Sequence, residues 1–444
     1  MLSKSFRFSD KLNFFKKTLD FPYEHTQNLK TVNLPTPNQV RIHMNQLEEA
    51  PCIPIVKKGN EVKVGQIIAE HTNFPATFIH ASVSGKITKI DDALLANGIK
   101  AKEIIIEADG LQEIDLDIKP PLINDEQDFT KALEDSGIIE LNTAAFLKKC
   151  ENVIDSLLIN ATTWEPLVAT SIREILEHPD DVLNGMAILM KQLKIKKGII
   201  VIEENQSESI ACLQGILINE SQKYENISLK KSASSYPDKS DHLLVTACEE
   251  ELSENNALVL SVTTVSALSK YLKTGIPVIT KSITVNGSAI TEPKNVLVPI
   301  GTRVKDVIAI CSGYKETPKK ILLGGPLMGT SVLSDDATIS KDTTAIFAFG
   351  ENETESEEES ECIRCARCIH VCPVNLMPIA IDQSVRFNQM DILKTLNVAT
   401  CVECGACSFI CPANRHLSQT IKLGKSLLEN YLNQQIEKGV SEDE

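Results

Sequence analysis

Hydrophobic positions change period along this chain, and the changes divide it. Between Val32 and about Ala108, apolar residues recur in short runs broken by turn residues. Ile55-Val56-Lys57-Lys58-Gly59-Asn60-Glu61-Val62-Lys63-Val64-Gly65-Gln66-Ile67-Ile68 reads as strand, Gly-Asn turn, strand, and residues 81–90 repeat the theme. From residue 120 the pattern switches. Residues 153–160, 198–203 and 257–262 are apolar runs of strand length, whereas Val182, Met186, Leu189 and Leu193 recur at helical spacing behind Asp180. That spacing predicts a helix with one buried stripe, capped by Asp180. Residues 207–219 and 267–272 predict two more helices. Strands alternating with helices imply a parallel α/β sheet. Over 275–345 short strands return: Ile283 to Ile290 reads as a strand pair around an Asn286-Gly287 turn, and Leu323-Gly324-Gly325-Pro326-Leu327-Met328-Gly329 is a glycine-rich turn.

Composition narrows the classes. A chain of 444 residues suggests two to four domains at roughly 100–200 residues each, ample for cores without disulfide staples. With 45 Lys+Arg against 60 Asp+Glu the formal charge is -15, which excludes a general nucleic-acid binder, whose footprint is basic. The start, Met1-Leu2-Ser3-Lys4-Ser5-Phe6-Arg7, lacks the apolar core of a signal peptide, and no apolar run approaches the roughly 18 residues needed to span a bilayer. These features predict a protein that is soluble, or peripheral to a membrane through partners.

Cysteine placement points to the chemistry. Five of the 13 cysteines (Cys52, Cys150, Cys212, Cys248, Cys311) are scattered and read as small apolar residues. The other eight form two matching runs, Cys362-Ile-Arg-Cys365-Ala-Arg-Cys368-Ile-His-Val-Cys372-Pro373 and Cys401-Val-Glu-Cys404-Gly-Ala-Cys407-Ser-Phe-Ile-Cys411-Pro412. Each is C-x2-C-x2-C-x3-C-P, the bacterial ferredoxin ligand run, in which the fourth cysteine serves the other cluster. Three thiolates two residues apart wrap one iron–sulfur cube and leave its fourth iron to a distant ligand. Cys362, Cys365, Cys368 and Cys411 are therefore assigned to one [4Fe-4S] cluster, and Cys401, Cys404, Cys407 and Cys372 to a second. The alternative is structural zinc, which more usually pairs two C-x2-4-C hairpins. Residues 362–425 hold seven Lys/Arg against three acids, about +4. Two oxidised clusters bring about -2 each, leaving this segment near neutral and the loaded chain near about -19. His370 and His416, beside ligands, read as polar surface or as groups tuning a cluster. Residues 351–361 contain seven glutamates and no base, which reads as a solvated linker, with a docking patch as the alternative.

The run spacing of the first segment resembles a biotinyl/lipoyl-like barrel-sandwich. Carriers of that type place a modified lysine in the hairpin between the halves; here Glu70-His71-Thr72-Asn73-Phe74-Pro75 holds none. An unmodified structural module is expected. Over about residues 30–425 the order of modules resembles the C subunit of Rnf electron-transport complexes, the RnfC family. Its most specific marks are the two cysteine runs, Leu323 to Gly329, and Leu158-Ile-Asn160-Ala-Thr-Thr-Trp164-Glu165-Pro166. The resemblance implies a multidomain α/β plus α+β architecture: an N-terminal arm (1–30), a barrel-sandwich hybrid (31–115) and a parallel α/β domain like the flavoprotein of respiratory complex I (120–272). After these come a β-grasp, SLBB-like domain (273–350), the acidic linker (351–361), a dicluster ferredoxin-like domain (362–425) and a helical tail (426–444). In most relatives the α/β domain binds NADH and flavin mononucleotide (FMN), and the membrane complex couples NAD and ferredoxin redox chemistry to sodium or proton pumping.

This chain departs from the family where the nucleotide should sit. The family's glycine-rich loop falls at Gly137-Ile138-Ile139-Glu140-Leu141-Asn142-Thr143-Ala144-Ala145-Phe146-Leu147, where only Gly137 remains of the glycines. Phosphate needs close backbone approach and convergent N–H groups, and Glu140 adds an anion beside it. Of the family's acidic pair only Glu165 persists, after Thr163 and Trp164. The expectation is a scaffold that has lost NADH and FMN, as in archaeal complexes drawing on ferredoxin and a cytochrome; a divergent working pocket is the alternative. The implied function is a peripheral electron-transfer subunit at the cytoplasmic face of the cell membrane. Integral membrane and iron–sulfur Rnf subunits would hold it there, with ferredoxin or a cytochrome as carrier. Alternatives are a soluble accessory of a cobalamin reductase or proline reductase system, and a scaffold with structural clusters. No acid–base catalytic set is found in the sequence.

Overall fold

The computed structural model describes residues 26–46, 51–71, 78–95, 98, 100–150, 154–163, 165–233, 236–237, 240–248, 252, 257–351 and 358–440. The hairpin at 72–75, Trp164 and the acidic end 441–444 lie outside these residues. The chain divides into two units: one of residues 23–234 and 244–351, the other of 1–22, 235–243 and 352–444.

In the larger unit, strands β1 (Thr31–Asn33), β2 (Gln39–His43), β3 (Ile53–Pro54), β4 (Glu61–Val62), β5 (Ile67–Glu70), β6 (Ile79–His80), β7 (Gly85–Leu94) and β8 (Lys100–Ala108) come first. Sheets β2-β8-β7-β4 and β3-β5-β6 enclose Val40, Ile42, Met44, Ile68, Ile87 and Ile104. Alternation along β2 puts Val40 and Ile42 inward and Arg41 and His43 outward, as the two-residue period of a half-buried strand requires. The run after the Gly59-Asn60 turn pairs with β7 rather than with the run before it.

The parallel domain follows: α1 (Glu126–Ser136), α2 (Ala144–Cys150), β9 (Ser156–Asn160), α3 (Thr170–Glu177), α4 (Pro179–Gln192), β10 (Lys197–Glu203), α5 (Ser207–Asn219), β11 (Ile227–Ser232), α6 (Asp241–Ala247), β12 (Ala257–Ser261) and α7 (Val262–Thr274). Its sheet runs β11-β10-β9-β12, all parallel. The order reverses between β9 and β12, and the crevice outside the carboxyl ends of such strands is where open α/β sheets bind ligands. Asp180 does not cap α4. His178 holds that position, Pro179 opens the helix, and Asp180 lies in the first turn, where its charge suits the helix dipole. Gly185 in mid-α4 has a packing reason: a Cβ there would lie 1.8 Å from the Val265 carbonyl oxygen of α7.

Strands β13 (Thr280–Asn286) and β14 (Lys294–Pro299), helix α8 (Val304–Ile310), and strands β15 (Lys320–Leu323), β16 (Thr330–Val332) and β17 (Ala345–Phe349) form the β-grasp layer, with sheet order β1-β14-β13-β17-β15-β16. Two expectations change here. The strand pair around Asn286-Gly287 is not a tight hairpin, because Ile290 is fully buried in the core and bridges Tyr314, drawing the chain out before β14 starts. Residues 31–33 belong not to the barrel but to this sheet, paired parallel with Asn295 to Leu297. The Asn295 side chain also donates to the carbonyls of Thr26 (2.7 Å) and Leu29 (2.8 Å), so the described end of the arm is tied down.

The smaller unit contains α9 (Arg367–Val371), α10 (Pro378–Arg386), α11 (Met390–Thr395), α12 (Ala406–Phe409) and α13 (Leu417–Val440) around Leu376, Ile381, Leu393, Val398 and Ile421. It is an internal repeat with an offset of 39 residues (Cys362 to Cys401, Arg367 to Ala406, Pro378 to Leu417). Backbone geometry repeats too: Arg364 and Glu403, Ala366 and Gly405, and Asn375 and Asn414 are all left-handed. The expectation of a solvated linker over 351–361 gives way at its described end. Glu359 pairs with Arg386 (2.7 Å) and the Ser360 amide donates to the Ala413 carbonyl (3.0 Å).

Candidate metal centres

Each cysteine run makes a left-handed step before its second and third cysteines, at Arg364 and Ala366 in one and Glu403 and Gly405 in the other. Such steps curl the loop so that successive side chains and amides face one centre. Cys362, Cys365 and Cys368 line a cavity together with Cys411, and Cys401, Cys404 and Cys407 line a second together with Cys372. The exchange of fourth cysteines has a local cause. Cys368 lies in helix α9 and Cys372 just after it, as Cys407 lies in α12 and Cys411 beyond it, and one helical turn carries each last cysteine across to the other cavity. Amides point at sulfur: Arg364 N–H to Cys362 Sγ and Glu403 N–H to Cys401 Sγ (both 3.4 Å), and Leu376 N–H to Cys372 Sγ (3.2 Å).

Among the described residues no three His, Cys, Asp or Glu side chains converge tightly enough for a single ion. The first set lines a cavity of about 610 Å³ and the second a much tighter one of about 20 Å³, and four thiols at each are the donor set of a [4Fe-4S] group. Burial pushes the thiols of Cys368, Cys401, Cys404 and Cys407 up, Cys404 to about 12. Thiolate ligation at these positions therefore releases protons. The fully buried Asp382 accepts from Arg386 (3.1 Å) and Arg415 (2.5 Å), anchoring the segment after Cys411. His370 and His416 are exposed and line neither cavity.

In the parallel domain, Glu140 reaches the helix N-terminus at the crevice. Asn160 and Ser261 end the adjacent strands β9 and β12 at the point where strand order reverses. Ser261 caps α7, and the Glu140 carboxylate accepts from its N–H (3.1 Å) and hydroxyl (2.8 Å) and from the Thr264 hydroxyl. A side-chain anion thus takes the helix N-terminus that would otherwise attract phosphate. Glu165, 4% exposed, accepts from the amides of Gly325 (2.7 Å), Leu327 (3.1 Å) and Met328 (2.5 Å), spanning to the glycine-rich turn. Burial raises its carboxyl, against which the three amides act. The surviving Gly137 also has an internal use. Its carbonyl accepts from Lys341 Nζ (2.8 Å), and a Cβ on it would lie 2.9 Å from that nitrogen. Sequence reasoning missed Lys341, and also Glu203, a buried carboxylate at the end of β10 that accepts from the Thr163 amide (3.2 Å). A lone acid closing an apolar strand was the available signal for Glu203; Lys341 had none.

An all-parallel α/β layer, a β-grasp sheet and paired four-cysteine cavities define a multidomain iron–sulfur electron-transfer protein. Family comparisons give the same order: an RnfC barrel sandwich hybrid domain at residues 16–111, a Nuo51 FMN-binding domain at 133–268, an SLBB domain at 282–331 and a 4Fe-4S dicluster domain at 353–415. The C subunit of the proton-translocating ferredoxin:NAD(+) oxidoreductase complex of Clostridium ljungdahlii is 34% identical over 372 residues, 80% of each chain. Its counterpart in the Na(+)-translocating ferredoxin:NAD(+) oxidoreductase complex of Acetobacterium woodii is 32% identical over 88% of this chain and 90% of its own. The counterpart in the ion-translocating oxidoreductase complex of Methanosarcina acetivorans is 30% identical over 90% and 94%. The chain belongs to the RnfC family.

Proposed function

We propose that this chain is the peripheral electron-carrying subunit of an Rnf-type ion-translocating membrane complex, and that it does not itself oxidise NADH. Cys362, Cys365, Cys368 and Cys411 hold one [4Fe-4S] cluster and Cys401, Cys404, Cys407 and Cys372 the other. Each cluster, when bound, takes up and releases one electron at a time. The protein's own part is to fix both sets on one compact repeat, to aim amides at sulfur, and to keep water from Cys368, Cys372 and Cys407, all buried. Curated relatives named for ion-translocating complexes favour this reading over a soluble reductase accessory.

The observation that carries the second half of the proposal is Glu140 on the N-terminus of α7. Two relatives are named for ferredoxin:NAD(+) oxidoreductase complexes, and this chain is read differently because Glu140 sits on the helix N-terminus. Among the described residues no helix is long and apolar enough to cross a membrane. Attachment at the cytoplasmic face therefore falls to the other Rnf subunits, and a chain near about -19 when loaded is repelled by anionic headgroups. Ferredoxin or a cytochrome serves as the carrier. Under anaerobic conditions NADH should leave the visible iron–sulfur absorbance unchanged, and reduced ferredoxin should bleach it. Rapid bleaching by NADH, or one extractable flavin per chain, overturns the proposal.

A further inference from the structure

The two cysteine loops repeat one another, so a contact present on one and missing from the other marks a difference in role. Tyr236, carried by the separate segment 235–243 of the smaller unit, donates its hydroxyl to the carbonyl of Cys404. Cys365, the counterpart of Cys404 one repeat earlier, is exposed, and among the described residues no side chain donates to its carbonyl. The second loop is also held at its start, where Lys425 Nζ donates to the Cys401 carbonyl (3.1 Å) and to Glu403 (2.6 Å). Arg386, which takes the place of Lys425 in the first half, binds Asp382 (3.1 Å) and Glu359 (2.7 Å) instead.

Peptide geometry gives the Tyr236 contact a chemical consequence. The Cys404–Gly405 bond is trans, and in a planar trans peptide the carbonyl and the N–H point opposite ways. Tyr236 does not line the second cavity, whereas Gly405 does. A carbonyl held by Tyr236 therefore turns the Gly405 N–H toward the cavity. Gly405 is buried, and among the described residues its N–H meets no protein acceptor. Buried backbone donors are nearly always paired, and the sulfur of a bound cluster is the acceptor placed for this one. With φ 71, Gly405 sits where a residue without a Cβ leaves the peptide plane free to turn over, so the plane needs an outside hold.

We propose that Tyr236 is a positioning residue for the cluster of Cys401, Cys404, Cys407 and Cys372, its hydroxyl fixing the Cys404–Gly405 peptide so that the Gly405 N–H is presented to the cluster. The inference rests on the reading that both cavities hold clusters. An N–H aimed at cluster sulfur favours the more negative, reduced form, so the contact raises the potential of this cluster. The sign separates positioning from packing. Loss of the donor lowers the potential, whereas a loosened loop that admits water favours the reduced form and raises it.

The test uses the full chain with its clusters, poised at a series of potentials under argon and frozen for electron paramagnetic resonance. The signal that Cys372→Ala lacks identifies the second cluster. Tyr236→Phe keeps the ring and removes the hydroxyl. It should lower the reduced-to-oxidised ratio of the second cluster about threefold at a fixed potential, a downward shift of about 30 mV at 59 mV per tenfold for one electron, and leave the first cluster unchanged. Protein grown on 3-fluorotyrosine supplies the opposite sign, and keeps the test open if Tyr236→Phe assembles poorly. Its more acidic phenol donates more strongly and should raise the potential of the second cluster while the first stays in place. Absence of iron from the unaltered chain defeats the cluster reading. With both clusters present, a second-cluster potential that is unchanged or raised in Tyr236→Phe, or unmoved by fluorination, overturns the positioning role.

Discussion

Glu140 and Ser261 stand 121 positions apart in sequence, yet the carboxylate of one accepts both the amide and the hydroxyl of the other. The contact joins the loop before α2 to the first turn of α7, at the place where a dinucleotide-binding sheet would present its amides to a ligand. It puts an internal cap on a helix N-terminus, the kind of place that can otherwise hold a phosphate.

Removing that carboxylate should be felt as stability. Glu140→Ala leaves the Ser261 amide and the Thr264 hydroxyl without their anion, a loss of about 1–2 kcal/mol by comparison with helix caps and dipole-facing charges. Glu140→Gln keeps the hydrogen-bonding shape and should lose about half as much. Urea unfolding followed by circular dichroism measures both; equal midpoints for all three proteins would show that the contact carries no weight.

The proposed sharing of ligands between the runs makes a prediction that separate sites would not. Anaerobically prepared protein should hold about eight iron and about eight acid-labile sulfides per chain without stoichiometric zinc. Cys372→Ala should then remove the signal of the cluster of Cys401, Cys404 and Cys407 and leave that of Cys362, Cys365 and Cys368 at least partly assembled. A variant that loses the first cluster instead, or a parent that carries zinc, contradicts the pairing.

Left-handed steps before the third cysteine are borne by Ala366 (φ 58) in one run and Gly405 (φ 71) in the other. An alanine there carries a strain of about 1 kcal/mol that glycine does not. Ala366→Gly should therefore raise the temperature at which visible absorbance is lost, and Gly405→Ala should lower it. The stabilising change is the smaller of the two, since glycine also loosens the unfolded chain.

Lys341 supplies a pH signature. Burial pulls its ammonium from an ordinary 10.5 down to about 8. The unfolded chain thus keeps a proton that the folded chain has released over the interval between, so stability rises with pH there, recovering a burial cost on the order of 3 kcal/mol. Lys341→Met lacks this dependence, although it leaves the Gly137 and Phe78 carbonyls unpaired at every pH. Between about pH 7.5 and 9 the parent should gain about 1 kcal/mol on the variant. Of the other titratable groups facing Lys341, His80 is shifted well below 6.5, and Cys52, raised above 9.0, is present in both proteins, so its titration is common to the two curves. Parallel curves for the two proteins would show that the amine stays charged.

Several elements were legible because their signal is local. Residues 207–219 were readable as a helix because one face repeats apolar residues at helical spacing, and the helix spans Ser207–Asn219. By contrast β11 was not read as a strand. It is an edge strand whose Lys230 and Lys231 break the apolar run, as edge strands commonly do. Asp180 was misplaced because Pro179, which cannot donate an amide and has its backbone preset for a first turn, opens the helix before it.

The cysteine runs belong wholly to the sequence. Thiol ligands at spacings of three, three and four positions, followed by proline, demand one kind of loop whatever surrounds them, so the chemistry of the smaller unit was readable without coordinates. The nucleotide crevice was only half readable. Lost glycines predict that a phosphate cradle is missing, but not that Glu140 reaches Ser261, that Glu165 reaches the amides of Gly325 to Met328, or that Gly137 serves Lys341. Those partners lie 121, 160 and 204 positions apart. Short-range spacing fixes loops and helices, whereas the destination of a carboxylate or an ammonium depends on which distant amides and carbonyls the packed layers leave unpaired, and only tertiary structure decides that.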